Sequence, residues 1–221
     1  MVGLSSGSWA QVVVNNPDVR RLTIVEINPG YLQLIPKYPA VASLLRNANV
    51  SIVIDDGRRW LVAHPERQFD LIVMNTTFHW RAQASNLLSV EFLTLVRRHL
   101  MPGGVLYYNT TGSGEALLTG ATVFPYSIRV ANFLAVSDSP IRVDRNRWEE
   151  RLTAYRIDDR PVFDLTDPSQ RRRLAEVLTL ADTLNQPDIR GQGLESGDQL
   201  RQRLRGKRLI TDDNMGTEWT P

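Results

Sequence analysis

Four short apolar runs constrain this chain more than any other feature. They are Leu22 to Ile27 (LTIVEI), Val50 to Ile54 (VSIVI), Phe69 to Met74 (FDLIVM) and Val105 to Tyr108 (VLYY). Each is strand-length and nearly continuous in apolar residues, which predicts strands buried on both faces. Helix-compatible stretches separate them. Ser8 to Asn15 is stopped by Asn16-Pro17, Tyr31 to Arg46 is broken by Pro36 and Pro39, and Arg58 to His64 is stopped by Pro65. Val90 to Leu100 places Phe92, Leu93, Val96 and Leu100 on one side of a helix. Strands alternating with helices predict βαβ units, right-handed crossovers and a mostly parallel sheet of Rossmann-like α/β type.

Met101-Pro102-Gly103-Gly104 reads as a turn ahead of the fifth strand in this order. Thr119 to Val136 is expected to hold a helix end and then a strand, Ile128 to Val136, closing the sheet antiparallel. Beyond Pro140 the pattern changes. Trp148 to Arg156 and Gln170 to Leu184 predict helices, Pro187 to Gly197 a polar loop, and Gln199 to Lys207 a basic helix. The expected organisation is a sheet domain over residues 1–140 and a helical C-terminal extension with a tail over 141–221, packed on the same domain.

A core is affordable at 221 residues with 42% hydrophobic and 23% charged side chains. The formal net charge of +2 is too small to argue for nucleic acid. No cysteine is present, which excludes disulfides, thiolate metal sites and Cys nucleophiles and fits a reducing, cytoplasmic setting. No apolar run reaches the ~18 residues of a membrane span, and no secretory leader pattern is visible. No His, Asp and Glu cluster has metal-ligand spacing, so no metal is expected.

Only Met1 and Val2 precede the turn Gly3-Leu4-Ser5-Ser6-Gly7-Ser8. A strand normally runs about 5–6 residues. The first strand is therefore expected to be largely missing, with ladder groups exposed on its neighbours, Leu22 to Ile27 and Phe69 to Met74. Such a seam invites pairing with another chain, so a homo-oligomer or a marginally stable monomer is expected.

Four places carry candidate chemistry. The glycine loop, with Gly3, Ser5 and Gly7, leads into a helix, and its glycines permit close approach of a ligand to backbone N–H groups. A Gly/Ser turn after a strand also occurs with no ligand. Glu26 follows by about 20 residues, the interval at which a strand-end carboxylate takes ribose hydroxyls; a solvated strand-end acid is the plainer alternative. Asp55-Asp56-Gly57 closes the next strand, where a carboxylate can accept from an adenine amine or cap the Arg58 helix. Asn75-Thr76-Thr77-Phe78-His79-Trp80 follows Phe69 to Met74, and Asn109-Thr110-Thr111 follows Val105 to Tyr108. The two Asn-Thr-Thr tips are expected to line one pocket with amides and hydroxyls, which are not bases near neutral pH. His79 is the one side chain there with a pKa suited to proton transfer. His64 and His99 look like helix C-end positions, and the Arg201 to Arg208 stretch looks like a solvated face.

Taken in order, the glycine loop, Val25-Glu26-Ile27-Asn28-Pro29, Asp55-Asp56-Gly57, Phe69-Asp70-Leu71-Ile72-Val73 and Pro102-Gly103-Gly104-Val105 resemble class I S-adenosyl-dependent enzymes. Val123-Phe124-Pro125 before a strand, together with the long tail, resembles polyamine aminopropyltransferases, the spermidine synthases. Asn75-Thr76-Thr77 and Thr211 to Trp219 (TDDNMGTEW) resemble the spermidine synthase-like domains found behind membrane helices in longer relatives.

The resemblance implies a co-substrate, S-adenosylmethionine or its decarboxylated form, and a small-molecule amine or other small substrate. By position it puts Gly3 and Gly7 against the nucleoside and its aminopropyl or methionine part, Glu26 against ribose and Asp56 against adenine. Ser5, Asp55, Gly57 and Asn75 complete the expected binding set, and Asn75 and His79 are the catalytic candidates. The family's Asp-Ser-Ser/Thr-Asp-Pro motif reads Asn75, Thr76, Thr77 and Phe78 here, so both acids that hold and deprotonate a diamine are absent. Asp212, Asp213 or Glu218 from the tail are candidate substitutes. Ordinary aminopropyl transfer is therefore in doubt. A methyltransferase acting on a small neutral substrate and a non-catalytic ligand-binding domain are the other two readings.

Overall fold

The structure is a computed structural model describing residues 1–75, 84–184 and 193–216. In chain order its elements are α1 (Ser8–Val14), β1 (Leu22–Glu26), α2 (Gly30–Leu34), β2 (Val50–Ile54), α3 (Gly57–Ala63), β3 (Phe69–Met74), α4 (Val90–Arg98) and β4 (Leu100–Asn109). There follow α5 (Gly114–Val123), β5 (Tyr126–Val130), β6 (Phe133–Ser137), α6 (Arg145–Ala154), β7 (Arg156–Ile157), β8 (Arg160–Pro161), α7 (Pro168–Thr179), β9 (Leu194–Ser196) and α8 (Gly197–Arg203). The expected Tyr31 to Arg46 helix is split into α2 and two short 3-10 turns, Ile35–Lys37 and Ala42–Arg46, because Pro36 cannot supply a helix N–H. The elements fall into two compact units, one of Met1–Gly57 with Val143–Asp182, the other of Arg58–Arg142 with Thr183–Pro221. No described helix is long and apolar enough to cross a membrane.

In the first unit β1 and β2 pair in parallel from Leu22 opposite Val50 to Glu26 opposite Ile54. The segment ahead of the glycine loop lies along the other edge of β1. Val25 N–H donates to Met1 O at 2.9 Å, Gly3 N–H donates to Val25 O at 2.8 Å, and Val2 forms a single parallel bridge with Val25. Leu4 of the loop, Ala10 and Val14 of α1, and Leu22 and Ile24 of β1 build the core with Ile35, Val41 and Leu44. The hairpin of β7 and β8 turns at Asp158 and Asp159, both with positive φ, and docks on this unit through Asp158. Ser43 Oγ donates to Asp158 Oδ2 at 2.8 Å, and buried Gln11 donates to Ser43 at 2.7 Å.

In the second unit the five-stranded sheet runs β3-β4-β6-β5-β9. β3 and β4 are parallel; β6, β5 and β9 join antiparallel. Phe92, Leu93 and Val96 of α4 pack fully buried, as the helical spacing predicts. Ser89 caps α4 by accepting from Phe92 N–H, and Ser113 caps α5 in the same way from Ala116.

Three expectations are corrected here. Met101-Pro102-Gly103-Gly104 is a bulge inside β4 rather than a turn before it: Phe69 pairs with Leu100 and Leu71 with Val105. Gly104 is needed because a Cβ there would meet Met101 O and Phe69 O at 2.9 Å. Leu100 accordingly opens the strand instead of closing the helix. The helix end expected from Thr119 is the end of α5, but the strand expected over Ile128 to Val136 is a hairpin, β5 and β6, reversing at Ala131-Asn132 with Ala131 at φ 51°. A run with seven apolar residues in nine hid a two-residue turn that carries neither Gly nor Pro.

Candidate functional site

Six of the expected binding residues lie in the two loops that flank Glu26 in the first unit. The loop between Val2 and α1 is held in left-handed backbone at Gly3 (φ 87°), Ser5 (φ 49°) and Gly7 (φ 81°). At Gly3 nothing among the described residues lies within 4 Å of where a Cβ would stand, so the loop presents open backbone there. Gly7 serves a different purpose. It is the cap residue of α1 with no side-chain acceptor, and a Cβ there would press on Ile35 at 3.2 Å and Leu44 at 3.3 Å.

Glu26, at the end of β1, is only 4% exposed. Its Oε2 accepts from Leu4 N–H at 2.5 Å and Ser5 N–H at 3.2 Å, and its Oε1 accepts from Asn28 N–H at 2.7 Å. A carboxylate offers about four acceptor sites. Three are occupied by backbone, which ties the glycine loop to the strand end and leaves room for about one more donor. On the neighbouring strand end, Asp55 N–H donates to Glu26 O at 3.1 Å, and Asp55 Oδ1 accepts from Asp56 N–H at 2.6 Å. Gly57 is buried against Val2: a Cβ would stand 2.6 Å from Val2 Cγ1. Gly3, Ser5, Gly7, Glu26, Asp55, Asp56 and Gly57 thus sit in one unit, linked through the main chain around Glu26.

Asn75 belongs to the second unit. The β3–β4 register sets Met74 opposite Tyr108, which brings the two strand tips together. Asn109 Nδ2 donates to Asn75 Oδ1 at 3.2 Å, and Thr111 N–H donates to Asn109 Oδ1 at 2.8 Å. Thr110 turns inward, fully buried, with its hydroxyl donating to Asn132 O. Thr76, Thr77, Phe78 and His79 lie outside the described residues, as does Glu218.

Two ion-paired groups in the second unit were not foreseen. Glu195, 4% exposed, accepts from Arg129 Nε at 2.7 Å and from Arg203 Nε at 2.6 Å. Burial pushes its carboxyl up, but the hydrogen bonds and charges of Arg203 and Arg129 outweigh this and hold it below the usual carboxylate value. Arg203 reaches this buried acid from an exposed position, its own side chain 47% exposed, and Arg205, Lys207 and Arg208 are exposed as expected for a solvated face. Asp212 of the tail takes Arg58 in a two-toothed pair at 2.8 and 2.5 Å and the Ser89 hydroxyl at 2.6 Å. The hydrogen bond from Arg58 is the main reason its carboxyl is held low. The Arg129–Glu195 pair follows from strand register, which sets the two residues opposite each other; sequence spacing carries no sign of it. His99 is buried and its Nδ1 bonds Arg67 O at 2.7 Å, whereas His64 bonds Trp60 O within its own helix end.

Residues 2–120 match the spermine/spermidine synthase domain. The chain belongs to the spermine/spermidine synthase family. Among curated members it is 28% identical over 148 residues to a polyamine aminopropyltransferase of Mycobacterium tuberculosis, covering 60% of this chain and 28% of that protein. The chain thus spans under a third of the length of that family member. Its fold resembles a spermidine synthase solved with the transition-state analogue AdoDATO, with a TM-score of 0.60 and 17% identity over 80% of this chain and 68% of the other. It also resembles human methyltransferase-like protein 13 solved with SAH, with a TM-score of 0.52 and 18% identity over 81% and 79%. The α/β Rossmann-like fold that this family shares with S-adenosyl-dependent methyltransferases is the fold of this chain. Among the described residues, no group of three or more His, Cys, Asp or Glu side chains is placed to hold a metal ion.

Proposed function

We propose that this chain binds S-adenosylmethionine or its decarboxylated form through the loops around Glu26, as a transferase-type domain of the spermidine synthase family. The open backbone at Gly3, held beside a carboxylate that already organises the loop, is the observation that carries this reading. In it Gly3 and Ser5 face the nucleoside and its side chain, and Gly7 seats the loop on the core. Glu26 uses its remaining acceptor site for a ribose hydroxyl, and Asp56 takes the adenine amine, with Asp55 and Gly57 shaping that turn.

The reaction is an in-line attack on a carbon next to the sulfonium. The new bond forms to that carbon, the carbon–sulfur bond breaks, and its electron pair stays on sulfur as a neutral thioether. The acceptor's proton passes to a base, for which His79 is the sequence's candidate. Transfer of the aminopropyl group leaves methylthioadenosine; transfer of methyl leaves S-adenosylhomocysteine. An amide at Asn75 favours the methyl reading with a non-diamine acceptor, because a cationic diamine in a desolvated site needs an anion that an amide does not supply.

Calorimetry with each nucleoside tests the site. Glu26→Ala removes the ribose acceptor and the loop's anchor, and a charge-assisted hydrogen bond is worth about 1.5–3 kcal/mol. A loss of at least about tenfold in affinity is expected; unchanged affinity would remove Glu26 from the site. With putrescine and decarboxylated S-adenosylmethionine, little or no methylthioadenosine is expected. Turnover near the ~10 per second common among enzymes would show that other groups supply the lost acids.

A further inference from the structure

We infer that Asn75 and Asn109 form a relay of fixed polarity that makes Asn75 a hydrogen-bond donor, so that this strand tip selects an acceptor substrate carrying a carboxylate over one carrying an ammonium. The inference rests on the reading of Asn75 as the acceptor-side residue of a transferase domain.

The polarity starts at a backbone amide. Thr111 N–H can only donate, and it donates to Asn109 Oδ1 at 2.8 Å. That bond fixes which end of the Asn109 amide faces which way, so Nδ2 must point to Asn75, where it donates to Oδ1 at 3.2 Å. Asn75 is fixed in turn. Its oxygen is taken, and its Nδ2 hydrogens have no partner among the described residues. Turning Asn75 over would set two NH₂ groups face to face. Turning both amides would set Asn109 Nδ2 against Thr111 N–H.

The anchor itself is firmly placed. Thr111 stands at φ 56° with its hydroxyl donating to Thr110 O at 2.7 Å. Thr110 is tied to Asn132 O through both its N–H and its hydroxyl, each at 2.8 Å. The free function at the tip is therefore a donor. An ammonium brings only donors and would leave both sides unsatisfied, whereas a carboxylate accepts.

The test uses the whole chain, isotope-labelled, without nucleoside. Side-chain amide NMR follows Asn75, assigned by the resonance lost in Asn75→Ala, during titration with succinate and with putrescine. Succinate is expected to move the Asn75 amide protons saturably, and putrescine at the same concentration is expected to leave them in place. Asn109→Asp is the decisive variant. Its carboxylate accepts from Thr111 N–H with one oxygen and faces Asn75 with the other, so Asn75 turns over and presents Oδ1 outward. The Asn75 protons should then shift downfield before any ligand is added. Succinate binding should weaken by about tenfold, and putrescine binding should become measurable. Should that variant not fold, Asn75→Asp presents an acceptor directly and should invert the preference in the same way. Putrescine binding the unaltered chain as tightly as succinate, or a folded acidic variant keeping the original preference, overturns the relay. S-adenosylmethionine binding to the unaltered chain separates the two ideas: it persists if only the relay fails and is absent if the nucleoside site fails.

Discussion

Glu26 in the first unit and Glu195 in the second are each 4% exposed, yet their oxygens are satisfied by different means. Glu26 accepts from three backbone N–H groups, two from the glycine loop and one from the turn after its own strand. Glu195 accepts from two guanidinium groups, one on the neighbouring strand β5 and one on α8. Backbone donors stabilise a carboxylate without neutralising it, and they order the loop that supplies them. Arginines neutralise the charge and join two elements of the fold. The difference separates a carboxylate that orders a loop from one that ties two elements together, although both would read alike as buried acids.

That contrast can be broken by mutation. The largest effect is expected from Glu195→Ala, which takes from Arg129, whose side chain is 10% exposed, the carboxylate at its Nε. Removing one partner of a buried pair typically destabilises by about 3–5 kcal/mol. Urea denaturation should show that loss, and the double variant Arg129→Met/Glu195→Leu should recover most of it. A loss under about 1 kcal/mol for Glu195→Ala would mean that the network behaves as a surface pair. A smaller effect is expected from Glu26→Gln, which sets an NH₂ against a backbone N–H at one of its two oxygens. An unsatisfied donor costs about 1–3 kcal/mol, and nucleoside affinity should fall together with the melting temperature. If affinity fell while stability held, the anchoring of the loop would not matter to the fold.

The smallest effect is one of pH. A carboxyl depressed in the folded state contributes stability that is present above its unfolded value and lost as pH falls through the lower folded one. For Glu195 the reference value is 4.5, and Arg203 and Arg129 together overcome burial to set the folded value below it. Asp212 follows the same sign from a reference of 3.8, with Arg58 as the main cause. Melting temperature should therefore decline below about pH 4.5, and Glu195→Gln should flatten the part of that decline due to Glu195. An unchanged profile in that variant would assign the acid sensitivity to Asp212 and other carboxyls.

Much of the fold was legible because its signals are local. β2 and β3 have the bounds that their apolar runs predict, and α1 ends just before Asn16-Pro17 as proline chemistry requires. Glu26 could be placed near the glycine loop because a strand end and the preceding turn meet wherever parallel strands pair. The β5–β6 hairpin was not legible, since Ala131-Asn132 carries neither Gly nor Pro and the left-handed residue is Ala131, and neither was the β4 bulge, where Pro102-Gly103-Gly104 suits a free turn equally well.

By itself the sequence determined the family, the α/β alternation, the loop at Gly3 to Gly7 and the carboxylates at the ends of β1 and β2. All of these depend on residue type and spacing along the chain. Only the tertiary structure decided how many of Glu26's acceptor sites the backbone fills, that Arg129 faces Glu195 across β5 and β9, and which end of the Asn75 amide meets Asn109. Those are matters of register and of donor meeting acceptor between distant residues. A polar side chain can present either hydrogens or lone pairs, and the partner that folding sets beside it fixes the choice.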